Sequence, residues 1–393
     1  MKRFFIAVCE MDETAHFANG ARTPLFGAPL YKHAHRKIMD AVNKLGLSVK
    51  FISVDVFDEK SSSKDLGKNI ESGDFIAIVS PLIFLAPSKV IEDAIKCILN
   101  NKFTYATVGI HSDYFGIFGF GEMVSKEQVI TNCVDFEDTI QDSGAVYTRK
   151  MLMEKEKATP VTRLDYYKKI EEYRNELLDY LIMSGVDIEN RDGVVVSPTS
   201  VIRSGTKILP NTQIYEGSLI KAHSVIGPNT VITHSEIGED VKIENSKISN
   251  SVILDGVTVE SYSDISDNCQ IGEDAIIKNG CTIKNSEIGA RSVIYSNAVI
   301  VETKAGAGVM FGSNSVTVKN VNDENHSKTY QCRIGNNAII GCNASLIAPI
   351  ELGDNALVAA GSTITDSVPT NAFAIAREFQ ENKENRAKKR KRF

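Results

Sequence analysis

Isoleucine stands at positions 202, 208, 214, 220, 226 and 232 of the stretch "VIRSGTKILPNTQIYEGSLIKAHSVIGPNTVI". An amphipathic helix needs apolar residues every three or four positions and a strand every second, so a period of six fits neither as a single element. It fits a coil. With three short strands per turn of a triangular solenoid, every sixth residue points inward and stacks on its equivalent in the next turn. The intervening residues suit sharp corners: Ser204-Gly205, Pro210-Asn211, Gly217 and Gly227-Pro228-Asn229 tolerate tight turns and positive φ.

The count continues through Ile237, Ile243, Ile248, Ile253, Val259, Ile265, Ile271, Ile277, Ile283, Ile288, Ile294 and Ile300. The steps into Ile248, Ile253 and Ile288 are shortened to five residues, as tightened corners would be. Gly306, Gly312 and Val318 extend the six-residue count. After a break at 319–332 it resumes at Ile334, Ile340, Leu346, Leu352, Val358 and Ile364. An antiparallel β domain would alternate at two, with turn signals roughly every eight to twelve residues. The expectation for 186–378 is therefore a parallel β-helix of hexapeptide repeats.

The first 160 residues follow another pattern. Apolar runs at 4–9, 49–57, 75–80 and 105–110 are expected as buried strands, with helical spacing at 31–46 and 88–101. Alternation of the two predicts an α/β layer with a largely parallel sheet. Between the halves, "RLDYYKKIEEYRNELLDYLIMSG" (163–185) reads as one long helix closed by Gly185, an arm over 161–185. A basic tail, 379–393, ends in "KKRKR" (388–392) before Phe393; the expectation is a solvated tail, with contact to ligand or subunit phosphates as the alternative.

A formal charge of −6 argues against a nucleic-acid binder. The seven cysteines (9, 97, 133, 269, 281, 332, 342) show no CxxC spacing, so no metal site is expected, and the apolar run after Met1-Lys2-Arg3 is too short for a signal peptide. With no run long enough to span a bilayer, the expected setting is a reducing cytoplasm.

An α/β domain, a long helix and a hexapeptide β-helix in that order resemble the bifunctional N-acetylglucosamine-1-phosphate uridylyltransferase/glucosamine-1-phosphate N-acetyltransferase family. The resemblance is closest from residue 334 onward, in "IGNNAIIGCNASLIAPIELGDNALVAAGSTITDSVPTNAFAIAR". It is good in "LIMSGVDIENRDGVVVSPTS" (181–200) and faint in the N-terminal domain. It implies a nucleotidyltransferase-like, Rossmann-like first domain and a left-handed β-helix that assembles as a homotrimer. In such a trimer acetyl-CoA lies in a groove between subunits.

Nucleotidyl transfer needs a Gly-rich basic loop around the triphosphate and a carboxylate to hold Mg²⁺. Only Gly20-Ala21-Arg22-Thr23-Pro24 and "FGAPLYKH" echo the family's loop, and Ser80-Pro81-Leu82 stands where its metal-binding aspartate is expected. Asp55, Asp58 and Glu59 are acids at a strand end, read as surface residues. Uridylyltransfer is expected to be lost, and Mg²⁺ is not expected.

In the β-helix the resemblance implies a rewritten acceptor side. The family's catalytic histidine falls at or near Ser296 and its tyrosine near Val299. Of the two cations that hold the sugar phosphate, the arginine falls near Ser266, and Lys284 matches the lysine. The donor side is kept. Gly306, Gly308, Gly312 and Ser313 echo a glycine-rich turn, and Lys328-Thr329 fits the active-site loop. Cys342, Ala359 and Ala360 match positions along the pantetheine arm, and Arg377 an arginine near the CoA phosphates. His326, in the 319–332 break, is the candidate replacement base, since an ammonium cannot attack a thioester until it loses a proton. Tyr295, His223 and His234 are weaker candidates, the two histidines reading as solvent corners.

Three functions stay open from the sequence. One is an acyl-CoA-dependent N-acetyltransferase acting on an amino sugar or sugar phosphate. The others are an inactive trimeric scaffold and a sugar-nucleotide-binding protein.

Overall fold

The computed structural model describes residues 2–9, 24–46, 49–57, 75–79, 84, 88–99, 105–108, 117–122, 163–319 and 331–378. The chain divides into two compact units, 1–180 with 196–199, and 181–195 with 200–393. Among the described residues no helix is long and apolar enough to cross a membrane.

The first unit contains strand β1 (Lys2–Cys9) and a tight hairpin of β2 (Pro24–Leu25) and β3 (Ala28–Pro29), which leads into helix α1 (Leu30–Lys44). Strands β4 (Val49–Phe57) and β5 (Phe75–Val79), helix α2 (Ser88–Leu99), strands β6 (Tyr105–Val108) and β7 (Ile117–Glu122), and helix α3 (Arg163–Met183), of which residues up to Tyr180 belong to this unit, follow. The sheet order is β4-β1-β5-β7-β6. β1 pairs in parallel with β4 and β5, whereas β7 is antiparallel to both β5 and β6. β7 was not anticipated: its sequence IFGFGE interleaves apolar residues with Gly119 and Gly121, which read as turn signals.

The hairpin turns at Phe26 (φ 49°) and Gly27 (φ 73°), two successive left-handed residues that match the twist of the flanking strands. Helix α1 buries Leu30, His33, Ala34, Lys37, Ile38, Ala41 and Val42, a stripe at three- and four-residue spacing. Two of these are polar and both are satisfied. His33 Nε2 lies 2.7 Å from the Leu25 carbonyl, which can only accept, so that nitrogen bears the proton. Nδ1 then accepts from the Tyr173 hydroxyl of α3 at 3.1 Å. Lys37 Nζ meets Glu176 at 2.6 Å. Phe84 packs on Tyr173 with ring centroids 4.7 Å apart. Burial pushes the His33 pKa down to about 4 and that of Tyr173 well above its usual value.

The second unit is the solenoid. Strands β8 (Val195–Val196) to β36 (Phe373–Ala374) form three parallel faces of ten, ten and nine strands, which is nine complete turns and the start of a tenth. Face one runs from Lys207–Ile208 to Phe373–Ala374, face two from Val195–Val196 to Thr363–Ile364, and face three from Val201–Ile202 to Ile350–Leu352. Each strand hydrogen-bonds to its equivalent one turn on, so Ile208 pairs with Ile226 and Ile226 with Ile243. Inward residues from Ile208 to Ile300 are at most 2% exposed.

One stretch of the repeat corrects the sequence count. The inward residues after Ile300 are Ala305, Phe311 and Thr317, all buried, and not Gly306, Gly312 and Val318. A further five-residue step, from Ile300 to Ala305, shifts the frame by one and turns Val318 outward. Phe311 and Ala305 share a turn, so a small side chain makes room for a large one at constant core volume. Thr317 is polar for a reason: its Oγ1 accepts the Val301 N–H at 2.8 Å and lies 3.1 Å from Thr303 Oγ1. Strand Val316–Lys319 keeps a single register pair with the turn before it, Val299–Val316, and four with the turn after, Ser345–Ala348. The threonine hydroxyl supplies the backbone partner that the splayed ladder has withdrawn.

A second ladder runs two residues before each inward isoleucine. Its members are small, among them Thr206, Thr212, Ser224, Ser246, Ser263, Cys281, Ser292, Ala298, Ala344 and Ser362, and all are buried. Their hydroxyls join successive turns. Ser224 Oγ donates to the Gly238 carbonyl at 2.8 Å and accepts the Val241 N–H at 3.1 Å; Ser246, Ser263 and Ser292 each accept a backbone N–H from the next turn.

Candidate functional site

The corner between faces one and two gathers most of the residues expected at a donor site. Ser296 accepts the Asn314 N–H at 3.0 Å through its carbonyl, Ser313 the Asn343 N–H at 2.9 Å, and Cys342 the Gly361 N–H at 2.8 Å. The Arg377 guanidinium donates to the Ala360 carbonyl at 3.2 Å. Ser296, Ser313, Cys342 and Ala360 therefore form one column, with Arg377 at its upper end. At one strand spacing per turn, Ser296 and Arg377 are separated by four steps of about 4.8 Å each.

The column is narrow because its backbones nearly touch. A Cβ on Gly312 would meet the Cys342 nitrogen at 2.5 Å, and one on Gly341 would meet the Ala360 nitrogen at 2.4 Å. Ser296 and Ser313 are half-buried, Ala359 is buried, and Cys342, Ala360 and Arg377 are exposed. The other described cysteines, Cys269, Cys281 and Cys332, are buried, and burial raises their thiol pKa values, that of Cys332 to about 11. Only Cys342 among them faces the column.

Other candidates are placed apart. Lys284 ends strand Thr282–Lys284 on face two, at the far side of that face from the corner and in register with Ser266 and Val301. Its Nζ lies 4.0 Å from Asp264 Oδ2, both side chains being about two-fifths exposed. Ser266 is buried, and Val299 stacks above Thr282. Tyr295 is 38% exposed at the corner, next to Ser296. His223 (φ 60°) and His234 (φ 48°) occupy left-handed corners of the lower turns, over Gly205 and Gly217, where an added Cβ would meet their rings at 2.7 and 2.8 Å. Gly306 and Gly308 stack under Asn336 and Asn337.

His326, Lys328 and Thr329 lie outside the described residues. So do residues 20–23, Asp58, Glu59, residues 80–82 and the 379–393 tail; Asp55 falls on β4.

Two outward patterns were missed because attention to the inward period skips the residue just before each isoleucine. On face one, Ile276, Val293, Met310, Ile339, Leu357 and Phe373 stack in register as one apolar stripe. Below it the same position reads Lys207, Val225, Lys242 and Thr258. On face three the equivalent residues of the upper turns are Gln270, Glu287, Lys304, Arg333 and Glu351, with a 2.6 Å Lys304–Glu287 ion pair. A cleft of about 490 Å³ lies on that charged face, bordered by Gln331, Arg333, Pro349 and Glu351.

Comparison with known proteins places this geometry. The family described as bacterial transferase hexapeptide (six repeats) matches residues 199–234, 250–285 and 331–366. The bifunctional protein GlmU of Streptococcus agalactiae serotype V is 36% identical over 223 residues, 55% of this chain and 46% of its own length. That of Acholeplasma laidlawii is 37% identical over 233 residues, 59% of this chain and 50% of its own. That of Streptococcus gordonii reaches 41% over 208 residues, 53% and 44% of the two lengths. The matched segment is about half of each relative. Among solved structures, LpxA from Acinetobacter baumannii aligns with a TM-score of 0.34 at 16% identity, covering 48% of this chain and 71% of its own.

Proposed function

The C-terminal half of this chain is a divergent member of the family of bifunctional GlmU proteins, and from that premise we propose an acyl-CoA-dependent N-acetyltransferase acting on an amino sugar or sugar phosphate in the cytoplasm. The observation that supports it is the column Ser296–Ser313–Cys342–Ala360 with the exposed Arg377 at its end. A lane of small side chains lets the pantetheine arm of acetyl-CoA lie against backbone, and an arginine fork matches phosphate geometry. The acceptor nitrogen attacks the thioester carbonyl, forming the C–N bond as the C–S bond breaks. His326 takes the amine proton and passes it to the departing sulfur, so that CoA leaves as the thiol. Lys328 and Lys284 hold the acceptor, and the first unit performs no uridylyl transfer.

The apolar stripe on face one supports a homotrimer, for a row of six apolar residues beside a charged face marks a buried interface. The expected mass is three times 43.1 kDa, about 130 kDa, by light scattering. Leu357→Lys with Phe373→Lys should break the assembly, whereas Lys304→Glu on face three should not.

Calorimetric titration of the whole protein with acetyl-CoA tests the reading. Saturable binding is expected, and His326→Ala should leave it intact while lowering the transfer rate by about 10²–10⁴-fold. Absence of binding would leave the inactive scaffold. A specific observation favours that second reading: Ser296, not a histidine, stands at the lower end of the column.

A further inference from the structure

Resting on that reading, we propose that the acceptor is an amino sugar without a phosphate group, and that Asp264 selects for it. Asp264 begins strand Asp264–Ser266 on face two. It stacks in register under Thr282, which stacks under Val299, three residues beyond Ser296. Asp264 therefore lies two turns, about 10 Å, below the lower end of the column, beside the Lys284 assigned above to the acceptor.

The carboxylate has unspent acceptor capacity. Oδ1 is buried and has no hydrogen-bond partner among the described residues. Among the described residues Oδ2 has the Lys284 ammonium at 4.0 Å, beyond hydrogen-bond length. An ionised carboxylate oxygen has about two acceptor positions, so Oδ2, the oxygen that is not buried, is free to take a donor from a ligand. Lys247 is in register with Asp264 one turn below, and Lys284 lies one turn above. The Lys284 ammonium is thus already paired with an anion.

A phosphoryl group drawn to Lys284 would sit within a few ångströms of that carboxylate, where like charges repel strongly in the reduced dielectric of a protein surface. The attraction of Lys284 for a second anion is already offset by Asp264. A sugar hydroxyl or ammonium meets the opposite situation, since it donates to the carboxylate and leaves its balance with Lys284 in place. The charges on face two therefore suit a neutral or cationic amino sugar and disfavour its phosphate ester.

The test compares glucosamine with glucosamine 1-phosphate as acceptors for acetyl-CoA, using the full chain, in wild type and Asp264→Asn. Asparagine keeps the shape and removes the charge. Wild type should favour glucosamine by about tenfold or more in kcat/KM. Asp264→Asn should raise kcat/KM for the phosphate ester about tenfold and raise KM for glucosamine, with acetyl-CoA affinity and melting temperature unchanged. Preference for the ester in wild type, or an unaltered preference in Asp264→Asn, overturns the inference while leaving acyl transfer in place. Acetyl-CoA binding with no transfer to either sugar overturns the role of Asp264 and points to a sensor. No acetyl-CoA binding removes the functional reading itself, and the selection with it.

Discussion

The two units hold together in different ways. In the first, cohesion depends on residues far apart in sequence: His33 of α1 meets Tyr173 of α3 across 140 positions, and Phe84 packs against the same tyrosine. In the solenoid nearly every interaction joins one turn to the next, some fourteen to eighteen positions away, and repeats. A nearest-neighbour stack tolerates change at any position that faces outward, because the inward ladder alone maintains the fold. Function in the solenoid is therefore free to occupy the outward stripe and the corner column. In the first unit the same side chains that fill the core also carry its polar groups, so little can change there without loss of cohesion.

The largest expected effect tests the inward ladder where it is least regular. Phe311→Ala removes the one aromatic inward residue in a turn whose neighbour is already Ala305, so the cavity has nothing to collapse into. A loss of about 3–5 kcal/mol is expected, read as a lower urea midpoint for the solenoid transition. The tyrosine near-ultraviolet signal of the His33–Tyr173 cluster should be unchanged at low urea. A simultaneous loss of both would show that the two units unfold together.

A pH titration tests the other unit. His33 is fully buried and its pKa is lowered from 6.5 to about 4, chiefly by burial, so the unfolded chain takes up the proton first as pH falls. The stability associated with keeping it neutral is complete above pH 6.5 and declines between there and pH 4, by about 3 kcal/mol in all. His33→Leu should flatten that slope in the first unit's denaturation midpoint. An identical slope in both proteins would assign the acid sensitivity to other groups.

This contrast also explains what the sequence disclosed. The period of six exposed the solenoid because each inward residue needs only its equivalents above and below, and those lie at fixed spacing. The frame slipped at Ala305, where a small residue next to Gly306 let glycine masquerade as the repeat position. The corner column was legible only through family resemblance, since Ser296, Ser313, Cys342 and Ala360 share smallness and nothing else. Asp264 and the face-one stripe were overlooked because their meaning depends on the neighbouring turns. In the first unit, α1 and β4 were readable from local pattern. The role of His33 was not, because its partners, Leu25 aside, lie on elements that no local pattern connects.

Arg377 tests whether function and cohesion are separable in the solenoid. Its guanidinium is exposed and, among the described residues, donates to the Ala360 carbonyl at the last turn. Arg377→Ala should weaken acetyl-CoA binding roughly ten- to a hundredfold, about 1.4–2.8 kcal/mol, and leave the melting temperature unchanged. Equal losses in both measurements would mean that the column is part of the scaffold.

The smallest expected effect distinguishes two serines that look alike in sequence. Ser263 and Ser218 both belong to the small-residue ladder, and each is 2% exposed. Ser263 Oγ accepts the Cys281 N–H at 3.3 Å and lies 3.1 Å from the Glu260 carbonyl and 3.2 Å from that of Lys278. Ser218 Oγ has no partner among the described residues. The same ladder position is alanine at Ala275, Ala298, Ala338, Ala344 and Ala356, so the fold accepts loss of the hydroxyl there. Ser263→Ala should then cost about 1 kcal/mol, the net worth of a buried hydrogen bond, in the solenoid's urea transition. Ser218→Ala should be neutral or slightly stabilising, because it removes a polar atom buried without compensation. Reversal of that order would mean that the ladder is held by the volume of its small side chains and that its hydroxyls contribute nothing.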